Sequence, residues 1–250
     1  MRAIIRFVFL TALRDRLFSG LAGMVLAIFA VSLFLGNAAL TEQAQAGLVY
    51  AAGTARVIVI LGLAVFIAFQ TQRLFESREI EAILSRSISR GAFVVSYWLG
   101  FAAISVLLVA ALAVVLTLIY GVHSAILLWC VSLLIECLLV LSFTQFTALT
   151  LERATTTIFV TFSFYGLTRL IGFFLGIRDA TPSIGANRFV NPMIDGLAYV
   201  LPRVDLMTQT KWLVYGFDAT DFVPLVLGQA AIFIALILSA SAFDLRQKQF

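Results

Sequence analysis

Six stretches of about twenty or more residues, at about 21–40, 51–70, 97–120, 124–150, 155–176 and 222–243, run through this chain with almost no charge. Twenty residues of helix at 1.5 Å each cover about 30 Å, the thickness of a bilayer's hydrocarbon core. A backbone crossing that core must satisfy its own N–H and C=O groups, so runs of this length read as transmembrane helices. With 62% of its 250 residues hydrophobic, the chain carries more apolar surface than one soluble core hides. The expected fold is an all-α membrane protein: one six-helix domain over 21–250, preceded by an interfacial helix in 1–20. A proline-punctuated outer segment at 177–221 is too polar to span. Its apolar pieces, Met193 to Leu201 and Trp212 to Phe217, read as short amphipathic or re-entrant helices.

The N-terminal stretch alternates Arg2, Arg6, Arg14 and Arg16 with Ile4, Ile5, Val8, Phe9, Leu13 and Leu17 at helical spacing, which suits a helix lying on the membrane surface. A secretory leader ending near Ala44-Gln45-Ala46 is the competing reading, but what precedes its apolar run is too long and oily for the basic opening of a leader. Eleven bases fall at the end bearing the termini and five at the other. That asymmetry places both termini in the cytoplasm, in the inner membrane if the source is bacterial. The bases mark topology and line no soluble face, so lipids, and no nucleic acid, are expected around them.

Within the spans, Glu136 and Arg169 each lie 16 residues from the turn at Glu152-Arg153, on consecutive antiparallel helices. They should share one depth, where an isolated charge costs several kcal/mol. An intramembrane pair is therefore expected, either lining a substrate path or only fixing two helices together. Arg56, nearer the end of its span, reads as snorkelling to headgroups. Trp98 reads as an interfacial anchor, and Gly20-x-x-Gly23 and Gly172-x-x-x-Gly176 as small-residue helix contacts. Cys130 and Cys137 are about 10 Å apart by helical rise and cannot pair within one helix.

Several chemistries lack their residues. Lys211 and Lys248 are followed by Trp212 and Gln249, which leaves no Gly-Lys-Ser/Thr phosphate loop. One histidine, His123, cannot form a His-Glu-x-x-His zinc site, and no Gly-x-Ser-x-Gly nucleophile motif occurs. No catalytic, metal or cofactor residue is expected.

The stretch 73–96 breaks the apolar pattern, and its first eighteen residues hold seven of the thirty charged side chains. Ile80, Ile83 and Leu84 at i, i+3 and i+4 give a short helix, about Ser77 to Leu84, one oily stripe backed by Arg78, Glu79 and Glu81. Ser85, Ser87 and Ser89 offer a turn and caps beyond it. The run Glu81-Ala82-Ile83-Leu84-Ser85-Arg86-Ser87-Ile88-Ser89-Arg90, continuing to Trp98-Leu99-Gly100, resembles the coupling segment of ABC-2-type exporter permeases. Tyr199-Val200-Leu201-Pro202 and Leu213-Val214-Tyr215-Gly216 in the outer segment are similar to motifs of the same family. The chain departs from the family pattern at Arg78-Glu79 in place of Gly-Thr, Ser87 in place of proline and Tyr97 in place of lysine.

The resemblance implies a permease subunit paired with a second copy or a relative and bound to two cytosolic ABC ATPases, which hold ATP and Mg. Ile80, Ile83 and Leu84 would enter a cleft on the ATPase, with Arg78, Glu79, Glu81, Arg86 and Arg90 around it and Arg14 and Arg16 as a second contact. The aromatic run of the fifth span, Phe159 to Phe174, would suit the subunit interface or a path for a lipid-like substrate. Two other classes stay open on the residues alone: a secondary transporter using Glu136 and Arg169, and a membrane assembly factor that transports nothing.

Overall fold

The structure, a computed structural model, describes residues 2–38, 43–77, 89–180, 190–216 and 222–247. It is all-α: among the described residues there is no strand, and six helices are long and apolar enough to cross a membrane. The elements in order are α1 (Arg2–Arg14), α2 (Arg16–Ala38), α3 (Gln43–Glu76), α4 (Arg90–Tyr120), α5 (Ser124–Leu151) and α6 (Ala154–Ala180). There follow α7 (Val190–Val200), a 3-10 turn (Val204–Leu206), α8 (Trp212–Tyr215) and α9 (Phe222–Gln247). The spans are α2, α3, α4, α5, α6 and α9.

Helix α5 is the hub, packing against α3, α4, α6, α8 and α9. Its sequence is apolar on every side, the pattern of a helix surrounded by others, and no residue from Ser132 to Leu149 is exposed. The other spans keep one face open. Met24 and Phe34 on α2, Leu118 on α4 and Ile232 and Leu236 on α9 are exposed, as a surface bathed in hydrocarbon allows and a water-facing one does not.

The expected single interfacial helix over 1–20 is split. Asp15 lies between α1 and α2, and its Oδ1 accepts from the Leu17 N–H at 2.9 Å, so the side chain caps a new helix and Arg16 belongs to the first span. Helix α1 packs along α4, with Val8 and Ala12 buried. Val8 lies over Gly100, where any Cβ would come within 2.8 Å of it. Gly62 likewise admits Leu21 where α2 meets α3. These are the close helix approaches, whereas Gly20, Gly23 and Gly176 have open space around them.

Polar side chains staple the end where α1 meets α2 and α9 finishes, here called basal. Arg73 pairs with Asp15, and Arg90 donates to the Leu245 carbonyl, tying α3 to the α1–α2 corner and α4 to the end of α9. Thr150 donates to Asp244 at 3.2 Å, and the Ala154 N–H donates to Gln72 Oε1 at 2.8 Å. Ser89 caps α4, accepting from the Ala92 N–H at 3.2 Å. Trp98 is tied into the bundle. Its indole N–H donates to Ser142 at 2.7 Å, joining α4 to α5, because an indole donor facing a neighbouring helix finds an acceptor there. At the distal end, the Ser32 hydroxyl bonds Gly47 O at 2.8 Å and Tyr120 at 2.6 Å.

Replacing Gly100 by Val should push α1 off α4. The expected cost is about 1–3 kcal/mol, the usual range for overpacking, read as a lower thermal midpoint of the detergent-solubilised chain. Adding Val8→Ala should recover more than half of the loss, and a Gly100→Val chain as stable as the wild type would place α1 elsewhere.

Candidate functional site

The bond between Gln72 and the Ala154 N–H sets α3 and α6 level at the basal end. Counting from there, Arg56 is 16 residues up α3 and Arg169 is 15 up α6, and Glu136 is 16 residues up α5 from Glu152. All three charges therefore lie about 24 Å above the basal level at 1.5 Å per residue. Depth counting from sequence finds Glu136 and Arg169. It also finds Arg56 once the count starts at Gln72, and the snorkelling reading concealed this. Arg56 points inward: its Nη1 donates to the Thr208 carbonyl at 2.8 Å.

Glu136 is 0% exposed. The Tyr165 hydroxyl donates to its Oε1 at 3.0 Å, and the Thr208 hydroxyl bonds Oε2. Arg169 Nη1 stands 3.5 Å from Oε1. The same nitrogen donates to the carbonyls of Val204 at 2.7 Å and Met207 at 2.9 Å. An Nη carries two protons, and the two shorter contacts are the carbonyls. Arg169 thus hydrogen-bonds the segment and offsets the carboxylate by charge, rather than joining two helices by a direct fork.

The segment so held is the part of 177–221 between α7 and α8. Val204, Met207 and Thr208 are fully buried, although only Val204–Leu206 of this segment are helical. Every polar atom of Thr208 is used: N–H to Ser132 Oγ at 3.0 Å, C=O to Arg56, hydroxyl to Glu136. Its φ of +48° is a left-handed conformation that costs a β-branched residue of the order of 1–3 kcal/mol. Such strain persists only where several bonds fix it together. Nearby, Arg203 grips Asp205 through two bonds of 2.9 Å, which raise the Arg203 pKa above its ordinary value against the opposing effect of burial. Asp205 sits directly against Gly172, which leaves room for it, and the Arg203 N–H donates to Gln229 of α9 at 3.2 Å.

The inward face of α6 is a row of hydroxyls, with Thr157, Thr161, Tyr165 and Thr168 buried, while Phe159, Phe173 and Phe174 point outward. The fifth span's aromatic run therefore does not line the interior as a whole. Phe164 alone stacks between Phe143 and Phe233, at 3.8 and 5.8 Å between ring centres. Ser132 lies one turn from Glu136 on α5, so its face was legible once Glu136 was chosen. Nothing in Leu206-Met207-Thr208-Gln209 marks Thr208.

Of the expected coupling residues, Arg78, Glu79, Ile80, Glu81, Ile83, Leu84 and Arg86 lie outside the described residues. Arg90 opens α4 and caps α9; Arg14 closes α1 and Arg16 opens α2, both exposed and flanking the Asp15 corner. Cys130 and Cys137 are buried free thiols. Compared with models of protein families and with curated proteins, the chain matches none.

Removing Glu136's charge leaves two guanidiniums facing each other, whereas removing Arg56's leaves a neutral Glu136–Arg169 pair. Glu136→Gln is expected to cost about 3–5 kcal/mol, the range for a buried pair that loses one member. Arg56→Gln should cost about 1–3 kcal/mol, through the unbonded Thr208 carbonyl. Denaturant titration of both variants checks the order, and equal losses would contradict the charge argument.

Proposed function

We propose that this membrane protein is the translocating subunit of an ABC exporter, paired with a second copy or a related chain. Two cytosolic ATPases would hold ATP and Mg and do the hydrolysis. The observation that carries the reading is how the α3–α4 connection is mounted. Its flanks are both tied into the bundle, Arg73 to Asp15 at the α1–α2 corner and Arg90 to the last turn of α9. A displacement applied between residues 77 and 89 would reach α1, α2, α3, α4 and α9 together, because packed helices transmit displacement rather than absorb it. The charge asymmetry favours the cytoplasmic side for this connection, and its resemblance to the exporter coupling segment supports an ABC ATPase as the partner.

In this reading Ile80, Ile83 and Leu84 are buried in the ATPase and Arg14 and Arg16 flank the contact. The distal cluster around Glu136 keeps the segment 203–208 seated at the far end of the bundle, where an exporter needs a closed outer mouth at rest.

Affinity purification of the tagged full chain from its native membrane should bring down an ABC ATPase, and Ile83→Asp should reduce that recovery at least tenfold while the chain itself stays folded. Proton-driven uptake by the purified chain alone, with no ATPase recovered, would sink the proposal.

A further inference from the structure

The distal cluster holds more positive charge than its bonds account for. Among the described residues bonded into it, three guanidiniums (Arg56, Arg169, Arg203) face two carboxylates (Glu136, Asp205). Arg203 and Asp205 satisfy each other, so the excess falls on Arg56 and Arg169, which bond the carbonyls of the adjacent residues Thr208 and Met207 and of which only Arg169 reaches Glu136. An unbalanced charge at this depth is costly unless a counter-charge joins it.

Hydrogen bonding points the same way. On the distal halves of the helices around the cluster two buried polar atoms have no hydrogen-bond partner, and both are donors, Arg56 Nε and the indole Nε1 of Trp129; the other such atoms of these helices, Gln70 Oε1, Gln145 Oε1 and Thr157 Oγ1, lie nearer the basal end. Trp129 is 0% exposed and lies on the face of α5 that carries Ser132 and Glu136, at i, i+3 and i+7, toward the distal surface. Arg169 spends one nitrogen on the carbonyls of Val204 and Met207, and its side chain is 22% exposed. The cluster thus lacks acceptors and negative charge, and it has an open side. At about 24 Å above the basal level, against about 30 Å for the thickness of a hydrocarbon core, it lies toward the distal ends of the spans.

We propose that the Arg56–Arg169 pair is an oxyanion-binding site, taking a carboxylate or phosphate whose oxygens accept from Arg56 Nε and the spare donors of Arg169. A planar guanidinium pair with unspent N–H groups suits such oxygens. The inference is independent of the ATP-driven reading above. The oxyanion is either a lipid headgroup's phosphate or a solute entering from the distal side.

The test uses the full chain in a phosphate-free maltoside detergent at constant ionic strength. Thermal unfolding is followed with chloride alone, with inorganic phosphate, with acetate, and with short-chain phosphatidylglycerol in the micelle. Phosphate or acetate is expected to raise the midpoint by about 3 °C or more if the ligand is a solute, and phosphatidylglycerol alone to do so if it is a lipid. In Arg56→Gln the shift should fall to under a third. Should that variant fail to fold, Arg56→Lys keeps the charge, removes the Nε donor and should weaken anion binding about tenfold, as losing one hydrogen bond to a charged group does. No shift with any anion would overturn the proposal, since the free donors would then be meeting water. A shift that neither variant reduces would overturn it too, by placing the anion elsewhere.

Discussion

The structure depends on satisfying non-helical backbone inside a helix bundle. Residues 203–208 turn there with only a short 3-10 turn of their own, and Val204, Met207 and Thr208 are buried from solvent that could bond their carbonyls. Arg169 bonds the carbonyls of Val204 and Met207, Arg56 bonds that of Thr208, and Ser132 accepts the Thr208 N–H. The two arginines stand in for missing backbone donors. Glu136 then follows as the charge that lets them be there, steadied by the hydroxyls of Tyr165 and Thr208.

This order of causes explains why the ion pair is long. A buried pair built for its own sake would form a short fork, since only excellent geometry offsets desolvation. Here the shortest bonds of Arg169 go to the segment and the 3.5 Å contact goes to Glu136. The cluster joins α3, α5 and α6 to the segment at one height. Basal staples join α1, α3, α4, α5, α6 and α9 at the other end. Helix α5, closed on all sides through its middle, connects the two levels.

The spans were legible because a bilayer imposes a length and a composition that few other folds share. The depth of Glu136 and Arg169 was legible because both helices start from the same short turn. Arg56 was misplaced because a basic residue toward the end of an apolar run usually reaches for headgroups, and only the level of Gln72 shows that α3 runs deeper than its apolar core. Thr208 carries no charge, so nothing distinguished it from the chain's other hydroxyls, and Ser132 stands out only by sharing a face with Glu136. The glycine spacings misled for a related reason: Gly62 and Gly100 matter for the Leu21 and Val8 that meet them from other helices, which no spacing within one helix records. The coupling helix expected at Ser77 to Leu84 is legible as a pattern, and almost all of it lies outside the described residues.

Hydrogen exchange on the intact wild-type chain tests most directly whether the cluster seats this segment. If it does, the amides of Met207 and Thr208, bonded to Val204 O and to Ser132, should exchange nearly as slowly as the middle of α5, because releasing them requires opening the bundle. Exchange as fast as in an exposed surface turn would mean that the segment leaves its site freely, and would contradict the account.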